Sequence, residues 1–258
     1  MKKEMRRGQV TIFIIIAIVI VAVLLILLYP RLKVYVSPVT PGSFIEDCMK
    51  KELVIVDSLA EQGGTLNPVN YLLWQDKKIE YLCYTNEYYK TCVMQQPLLK
   101  QSFENELSDY LKDKADRCIQ NLAVNYEGKG YRVSVKSSSV SVEIIPRNIK
   151  VTINAPITIT KETSQTFDNF VVSKPSGIYD LLSIAGSILN WEARYGDSDP
   201  ESFMLYYPNL KVEKYKQEDG SKVYVLTDRE SGDKFYFASR SLSWPAGYNA
   251  AGERVKDE

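Results

Sequence analysis

Hydrophobic positions follow three patterns along this chain, and each pattern predicts a different kind of element. An uninterrupted apolar segment runs from residue 10 to residue 29, and basic residues stand at positions 2, 3, 6 and 7 before it. About twenty residues at a rise of about 1.5 Å form a helix of roughly 30 Å, enough to cross a bilayer. We therefore expect a transmembrane helix over residues 9–30. The basic leader, residues 1–8, favours a cytoplasmic N-terminus and export of the rest.

A helical period follows from residue 43. Ser43 and Glu46 have the spacing of a capping box, and apolar residues then recur at helical spacing until Gly63 and Gly64 end the pattern. A second helix is predicted from Pro97 to about residue 122. A third is predicted over residues 176–195, with Gly196 as its stop.

Alternating apolar and polar residues predict strands between and after these helices. The predicted strands are Ile79 to Tyr84, Tyr89 to Met94, Tyr131 to Lys136, Val140 to Ile145, Ile149 to Ile153, Ile157 to Thr160, Lys211 to Tyr215, Lys222 to Thr227 and Lys234 to Ser239. The expected fold class is α+β, an N-terminal transmembrane helix followed by an ectodomain of helices packed on antiparallel sheet. The expected divisions are a linker over 31–42, an α+β ectodomain over 43–195, a C-terminal β subdomain over 196–243 and a disordered tail over 244–258.

The chain has four cysteines, Cys48, Cys83, Cys92 and Cys118. An even count on a side expected to be oxidising favours disulfides. The alternative, a zinc site, needs closely paired ligands, whereas these spacings are long and irregular. Cys48 and Cys118 both lie on the apolar stripes of predicted helices, and Cys83 faces Cys92 across a predicted hairpin. We therefore predict the bridges Cys48–Cys118 and Cys83–Cys92.

The residues at the start of the apolar segment, Arg6-Arg7-Gly8-Gln9-Val10-Thr11-Ile12-Phe13, resemble the class III signal peptide of archaeal type IV pilin-like proteins. The resemblance implies cleavage by a prepilin peptidase between Gly8 and Gln9, and self-assembly through residues 9–29. The alternative is an uncleaved signal anchor. The runs from Ser43 to Leu122 and from Phe235 to Arg240 are also similar to uncharacterised cell-surface proteins of small-genome archaea, a resemblance that brings no known activity.

Composition argues against two functional classes. Lys plus Arg equals Asp plus Glu at 32 each, so the chain lacks the positive excess that nucleic-acid binding needs. It also lacks histidine entirely, and with it the commonest general base and metal ligand. We therefore expect no enzyme, no cofactor and no metal, with an exported enzyme as the third-ranked alternative.

Tyrosines are the strongest candidates for partner contact. Tyr81, Tyr84, Tyr88 and Tyr89 cluster on and around the predicted disulfide-closed hairpin. Tyrosine offers a large amphipathic face at low entropic cost, which suits contact with proteins and glycans. The alternative is that most of them are ordinary half-buried sheet residues.

These observations favour a pilin-like, membrane-anchored structural or adhesion protein of the cell surface, exported from a single-pass membrane helix, and in the polymerised case part of an extracellular pilus. Its expected partners are the lipid bilayer, copies of itself, a prepilin peptidase and other cell-surface proteins or glycans. The alternative is a monomeric single-pass binding or envelope-complex subunit that does not polymerise.

Overall fold

The structure is a computed structural model that describes residues 13–24 and 40–243. The chain divides into two compact units, Met1–Thr40 and Pro41–Glu258. The first unit contains helix α1, residues 13–24. The second contains every other described element.

The predicted transmembrane helix requires a correction. The described part of helix α1, residues 13–24, is about 18 Å long at about 1.5 Å per residue. No helix within residues 13–24 and 40–243 is both long and apolar enough to cross a membrane. The predicted single-pass membrane location depended on that helix and is therefore not supported either. The rest of the predicted span, the leader, and most of the linker lie outside the described residues, as does the tail over 244–258.

The second unit contains five helices and ten strands among its described residues. The helices are α2 (Pro41–Glu52), α3 (Ile55–Glu61), α4 (Leu99–Glu127), α5 (Ile178–Tyr195) and α6 (Pro200–Tyr206). The strands are β1 (Tyr71–Trp74), β2 (Lys77–Tyr84), β3 (Val93–Met94), β4 (Arg132–Val135), β5 (Ser139–Ile145), β6 (Asn148–Thr160), β7 (Ser164–Pro175), β8 (Leu210–Lys216), β9 (Ser221–Asp228) and β10 (Lys234–Arg240). The α+β part of the predicted fold class is therefore confirmed.

The first predicted helix begins earlier than expected and is broken. Helix α2 starts at Pro41, a residue well suited to the first helical position, so Ser43 lies inside the helix and the predicted capping box is wrong. The pattern up to Gly63 comprises two helices, α2 and α3, rather than one. Gly63 and Gly64 both have positive φ, as the predicted stop requires.

Two sheets organise the unit. The first has the order β1-β2-β10-β9-β8, with β3 also paired to β2, and its β2–β10 pair is parallel. The second sheet is antiparallel and is built around β6. Strands β4 and β5 pair with one side of β6, and β7 also pairs with β6. Because β8 to β10 share a sheet with β2, the boundary predicted at residues 195/196 does not separate two sheets.

The main hydrophobic core joins helices α2 to α5 to inward-facing residues of both sheets. Phe103, Leu107 and Leu111 of α4 are fully buried there, as are Ile149 and Val151 of β6. A smaller cluster lies on the other face of the first sheet, where Ile79, Tyr81, Val223, Val225, Tyr236 and Ala238 are buried. Strands β9 and β10 are thus buried on both faces, which gives the sheet a rigid centre.

Candidate functional site

Residues 85–92 connect β2 to β3, and we call them the tyrosine loop. The disulfide between Cys83 and Cys92 closes its base, with the two Cα atoms 5.3 Å apart, and this bridge confirms the predicted pairing. The register differs from the prediction, because Cys83 lies opposite Met94 in the ladder and β3 is only two residues long. The loop is therefore closed by the covalent bond more than by strand pairing.

The backbone of the loop is also bonded to the segment that follows β10. Thr85 N donates to Arg240 O at 3.0 Å, and Tyr89 N donates to Leu242 O at 2.7 Å. Leu242 N in turn donates to Lys90 O at 3.0 Å. Three backbone hydrogen bonds and a disulfide thus fix a short loop on both sides of its tip.

The four tyrosines predicted as contacts fall into two pairs. Tyr88 and Tyr89 are 76% and 74% exposed at the tip of the loop. Tyr81 is buried, and its hydroxyl lies 2.8 Å from Ser221 Oγ, while its ring lies 5.0 Å from that of Tyr84. Burial raises the pKa of Tyr81, so this phenol stays neutral. Tyr81 and Tyr84 therefore support the base, and the accessible faces belong to Tyr88 and Tyr89.

A cluster of charges lies at the base of the loop, and we call it the ionic cluster: the buried Glu192 and Lys222 and the partly exposed Asp197 and Lys214. Glu192 is fully buried, and Lys222 Nζ lies 2.9 and 2.8 Å from its two carboxylate oxygens. Lys222 Nζ also donates to Asp197 Oδ1 at 3.1 Å, and Lys214 Nζ donates to the same oxygen at 3.0 Å. Two carboxylates and two ammonium groups therefore compensate one another.

Two hydroxyl groups complete this cluster. Tyr224 donates to Glu192 Oε1, and Ser239 Oγ donates to Glu192 Oε2 at 2.9 Å. Burial and the neighbouring Glu192 charge raise the pKa of Tyr224. Partial burial alone would raise the pKa of Asp197, but Lys222 and Lys214 outweigh it and lower that pKa to about 2.

The ionic cluster also contacts the base of the loop. Ser241 Oγ donates to Glu192 O at 3.3 Å and accepts from Cys92 N at 2.9 Å. Ser239 Oγ lies 3.7 Å from Cys92 Sγ. The buried charges, the short disulfide and the segment after β10 thus form one connected support for the exposed tyrosines.

The other residues singled out from the sequence lie elsewhere. Cys48 and Cys118 form the second predicted bridge, with Cα atoms 6.0 Å apart, between α2 and α4. Gly8 and Gln9 lie outside the described residues. Within residues 13–24 and 40–243, no group of three His, Cys, Asp or Glu side chains is arranged to hold a metal ion.

Sequence reasoning missed the residues that hold the loop in place. Arg240 is 155 positions from Thr85 and Ser241 is 149 from Cys92. Local periodicity carries no signal for contacts at such separation. The chain matches no protein-family model, no curated protein and no solved structure.

Proposed function

We propose that this chain is a non-enzymatic recognition protein that presents the tyrosine loop to a partner protein or glycan. The observation that carries the proposal is the contrast between exposed side chains and a fixed backbone within the loop. Tyr88 and Tyr89 are 76% and 74% exposed, yet their backbone is held by a disulfide and by hydrogen bonds to residues 240–242. This arrangement is suited to adhesion, the structural role indicated by the sequence.

A fixed backbone favours binding because little conformational entropy remains to be lost when the partner arrives. Tyrosine adds a large contact area with only two side-chain torsions to order, and its hydroxyl can hydrogen-bond to a peptide or a sugar. Tyr89 also has a φ of +63°, a left-handed conformation that is uncommon for a bulky residue. A non-glycine residue held in this way at an exposed tip supports a functional reading of the loop.

The charges around the loop favour contact over catalysis. Lys90 pairs with Glu87 at the tip, and the buried Glu192 is engaged by Lys222, Tyr224 and Ser239. Each of these ionisable groups already has an internal partner. A chain without histidine also lacks the commonest general base.

Site-specific photo-crosslinking tests the proposal for a protein partner. We expect p-benzoylphenylalanine at position 88 to crosslink one defined partner in the native cells. The matched control is the same residue at position 71, where Tyr71 is 41% exposed on β1. Equal crosslinking from both positions would contradict the proposal.

A glycan array tests the second class of partner. The labelled full-length chain should bind a defined subset of glycans, and the double variant Tyr88→Ala/Tyr89→Ala should lose this binding while Tyr71→Ala keeps it. If crosslinking from position 88 and array binding are both absent, the loop is not a recognition site.

Self-association through residues 9–29 is a second candidate function, and the surface of α1 favours it. The large apolar side chains from Phe13 to Leu24 are between 48% and 66% exposed. A helix apolar on every side gains free energy when a copy covers it. Sedimentation velocity tests this candidate: Ile16→Glu should reduce assembly, whereas the control Val69→Glu, at a position 90% exposed outside α1, should not.

A further inference from the structure

A cleft of about 690 Å³ opens between the first half of α5, the residues after α6, and the turn from β9 to β10. Its size lies within the range of small-molecule sites. Leu181, Ile184 and Leu210 are among its apolar lining residues. The cleft shares no lining residue with the tyrosine loop, so it can serve a separate function.

Aromatic side chains line one side of the cleft. Tyr206 and Tyr207 stand at the end of α6 and are 79% and 52% exposed, and Tyr179 of α5 also lines the cleft. The face of a tyrosine ring attracts a cation within about 6 Å of its centre. These rings therefore offer both apolar contact and a preference for positive charge.

The charge of the side chains that line the cleft also favours a positively charged ligand. Asp180, Asp228 and Asp233 line it, and none of the three makes an ion pair with another residue in the described part of the chain. Asp233 accepts hydrogen bonds from Ser176 Oγ at 2.7 Å and Gly177 N at 2.6 Å, and both of these donors are neutral groups. Because three carboxylates lack a cationic partner, a positively charged ligand is favoured.

A fourth carboxylate is partly neutralised. Glu230 lies 3.6 Å from Arg147 Nη2, and both side chains are largely exposed. Arg147 is the sole cationic side chain among the residues that line the cleft, against four carboxylates. The net charge of the lining is therefore strongly negative.

A close backbone approach holds one of these carboxylates in the cleft. A Cβ at Gly177 would lie 2.1 Å from Asp228 Oδ2. Asp228 Oδ1 accepts a hydrogen bond from Glu230 N at 2.9 Å, which fixes the other side of the carboxylate. Glycine at position 177 therefore makes room for Asp228 at the start of α5.

The carboxylates are too widely spread to chelate a single metal ion, since no three acidic groups converge within the described residues. Spread negative charges, apolar walls and tyrosine faces together fit an elongated cation. We propose that this cleft binds a small organic polyamine, with ammonium groups on an aliphatic stem. The stem contacts the apolar walls, and the ammonium groups contact Asp180, Asp228 and the tyrosine faces.

Calorimetric titration of the full-length chain with spermidine at low ionic strength tests the proposal. We expect saturable binding, and we expect Asp180→Asn to raise the Kd about fivefold, as loss of one ion pair does. Tyr206→Ala should also weaken binding. The matched control is Asp168→Asn, which removes an exposed carboxylate of β7 outside the cleft and should leave the Kd unchanged.

Two further ligands sharpen the outcome. The neutral diol 1,6-hexanediol should bind far more weakly than spermidine, because it lacks the ammonium groups. Equal binding of the diol, absence of spermidine binding, or a spermidine Kd that Asp180→Asn and Tyr206→Ala both leave unchanged would overturn the proposal. Tighter binding of tetralysine than of spermidine would also overturn it, in favour of a basic peptide. None of these outcomes depends on the tyrosine loop.

Discussion

The two disulfides of this protein differ in the length of chain that they close and in what they join. Cys48–Cys118 joins α2 to α4 within the main apolar core, next to the buried side chains of Ile45, Met49 and Leu122. Cys83–Cys92 is also buried against this core, but it closes a short surface loop, and the hydroxyl groups of Ser239 and Ser241 lie beside Cys92. The bridge Cys48–Cys118 thus reinforces packing between α2 and α4 that the apolar stripes of these helices already specify. The other orders a surface segment that has little packing of its own.

The largest expected effect is the loss of the bridge in the core. The double variant Cys48→Ala/Cys118→Ala releases a loop of 70 residues, and loop-closure entropy then predicts a free energy of unfolding lower by about 4 kcal/mol. Chemical denaturation under non-reducing conditions measures it. A loss no larger than that caused by removing Cys83–Cys92 would break the comparison.

The next effect concerns the ionic cluster. Glu192→Gln keeps the side-chain volume but leaves the buried ammonium of Lys222 with only Asp197 as its anionic partner. Breaking a buried ion pair costs about 3 kcal/mol or more, so we expect a loss near that value in denaturant unfolding. Glu218→Gln, at an exposed position, is the control and should change the free energy of unfolding little.

A smaller global effect is expected from the short bridge. The double variant Cys83→Ala/Cys92→Ala opens a loop of 9 residues and should lower the free energy of unfolding by about 2.5 kcal/mol. The sharper readout is local. Amide hydrogen exchange at Tyr88 and Tyr89 should accelerate more than exchange in α4, because the hydrogen bonds to residues 240–242 would form less often. Uniform acceleration across both regions would contradict the assigned local role.

The smallest expected effect is a dependence on pH. The pKa of Asp197 lies at about 2, below its ordinary value of 3.8, so its carboxylate stabilises the fold above about pH 4 and loses that contribution as pH falls towards 2. Because this side chain is 43% exposed, solvent screening limits the contribution to about 1 kcal/mol. Asp197→Asn should flatten the acid limb of the stability curve between pH 4 and 2. Asp168→Asn should leave that limb unchanged.

Both disulfides could be predicted from the sequence because their determinants are local. The apolar stripes of α2 and α4 place Cys48 and Cys118 on facing surfaces, and a short connection places Cys83 near Cys92. The stop of α5 was equally local, since Gly196 has a φ of +81°. In these three cases a signal confined to one turn, one short connection or one helical face predicted the structure correctly.

Two strands escaped the same reasoning for physical causes. Strand β1 leads into a turn in which Gln75 and Asp76, rather than glycine or asparagine, adopt positive φ. Strand β7 is mostly exposed and polar, so it shows little alternation, and its pairing with β6 over most of its length defines it. Helix α6 was also missed, although Asp199 caps it and Pro200 occupies its first position.

The candidate site was only half predictable. The tyrosines and the short disulfide appear in one stretch of sequence, but exposure divides them into Tyr88 and Tyr89 at the tip and Tyr81 and Tyr84 at the base. The support from β10 depends on a parallel pairing between β2 and β10. The membrane prediction was drawn from the apolar stretch over residues 10–29, of which the structure describes residues 13–24.

The bridge between Cys48 and Cys118 has a mechanical consequence. Tension applied between the two ends of the chain passes from α2 directly to α4 through the covalent bond. Residues 49–117, which include the tyrosine loop, lie outside this load path and cannot be extended by pulling on the termini. The backbone of these residues would thus stay unextended under traction as long as the bridge stays oxidised, whereas the hydrogen bonds from the tyrosine loop to residues 240–242 reach into the part of the chain that carries the load.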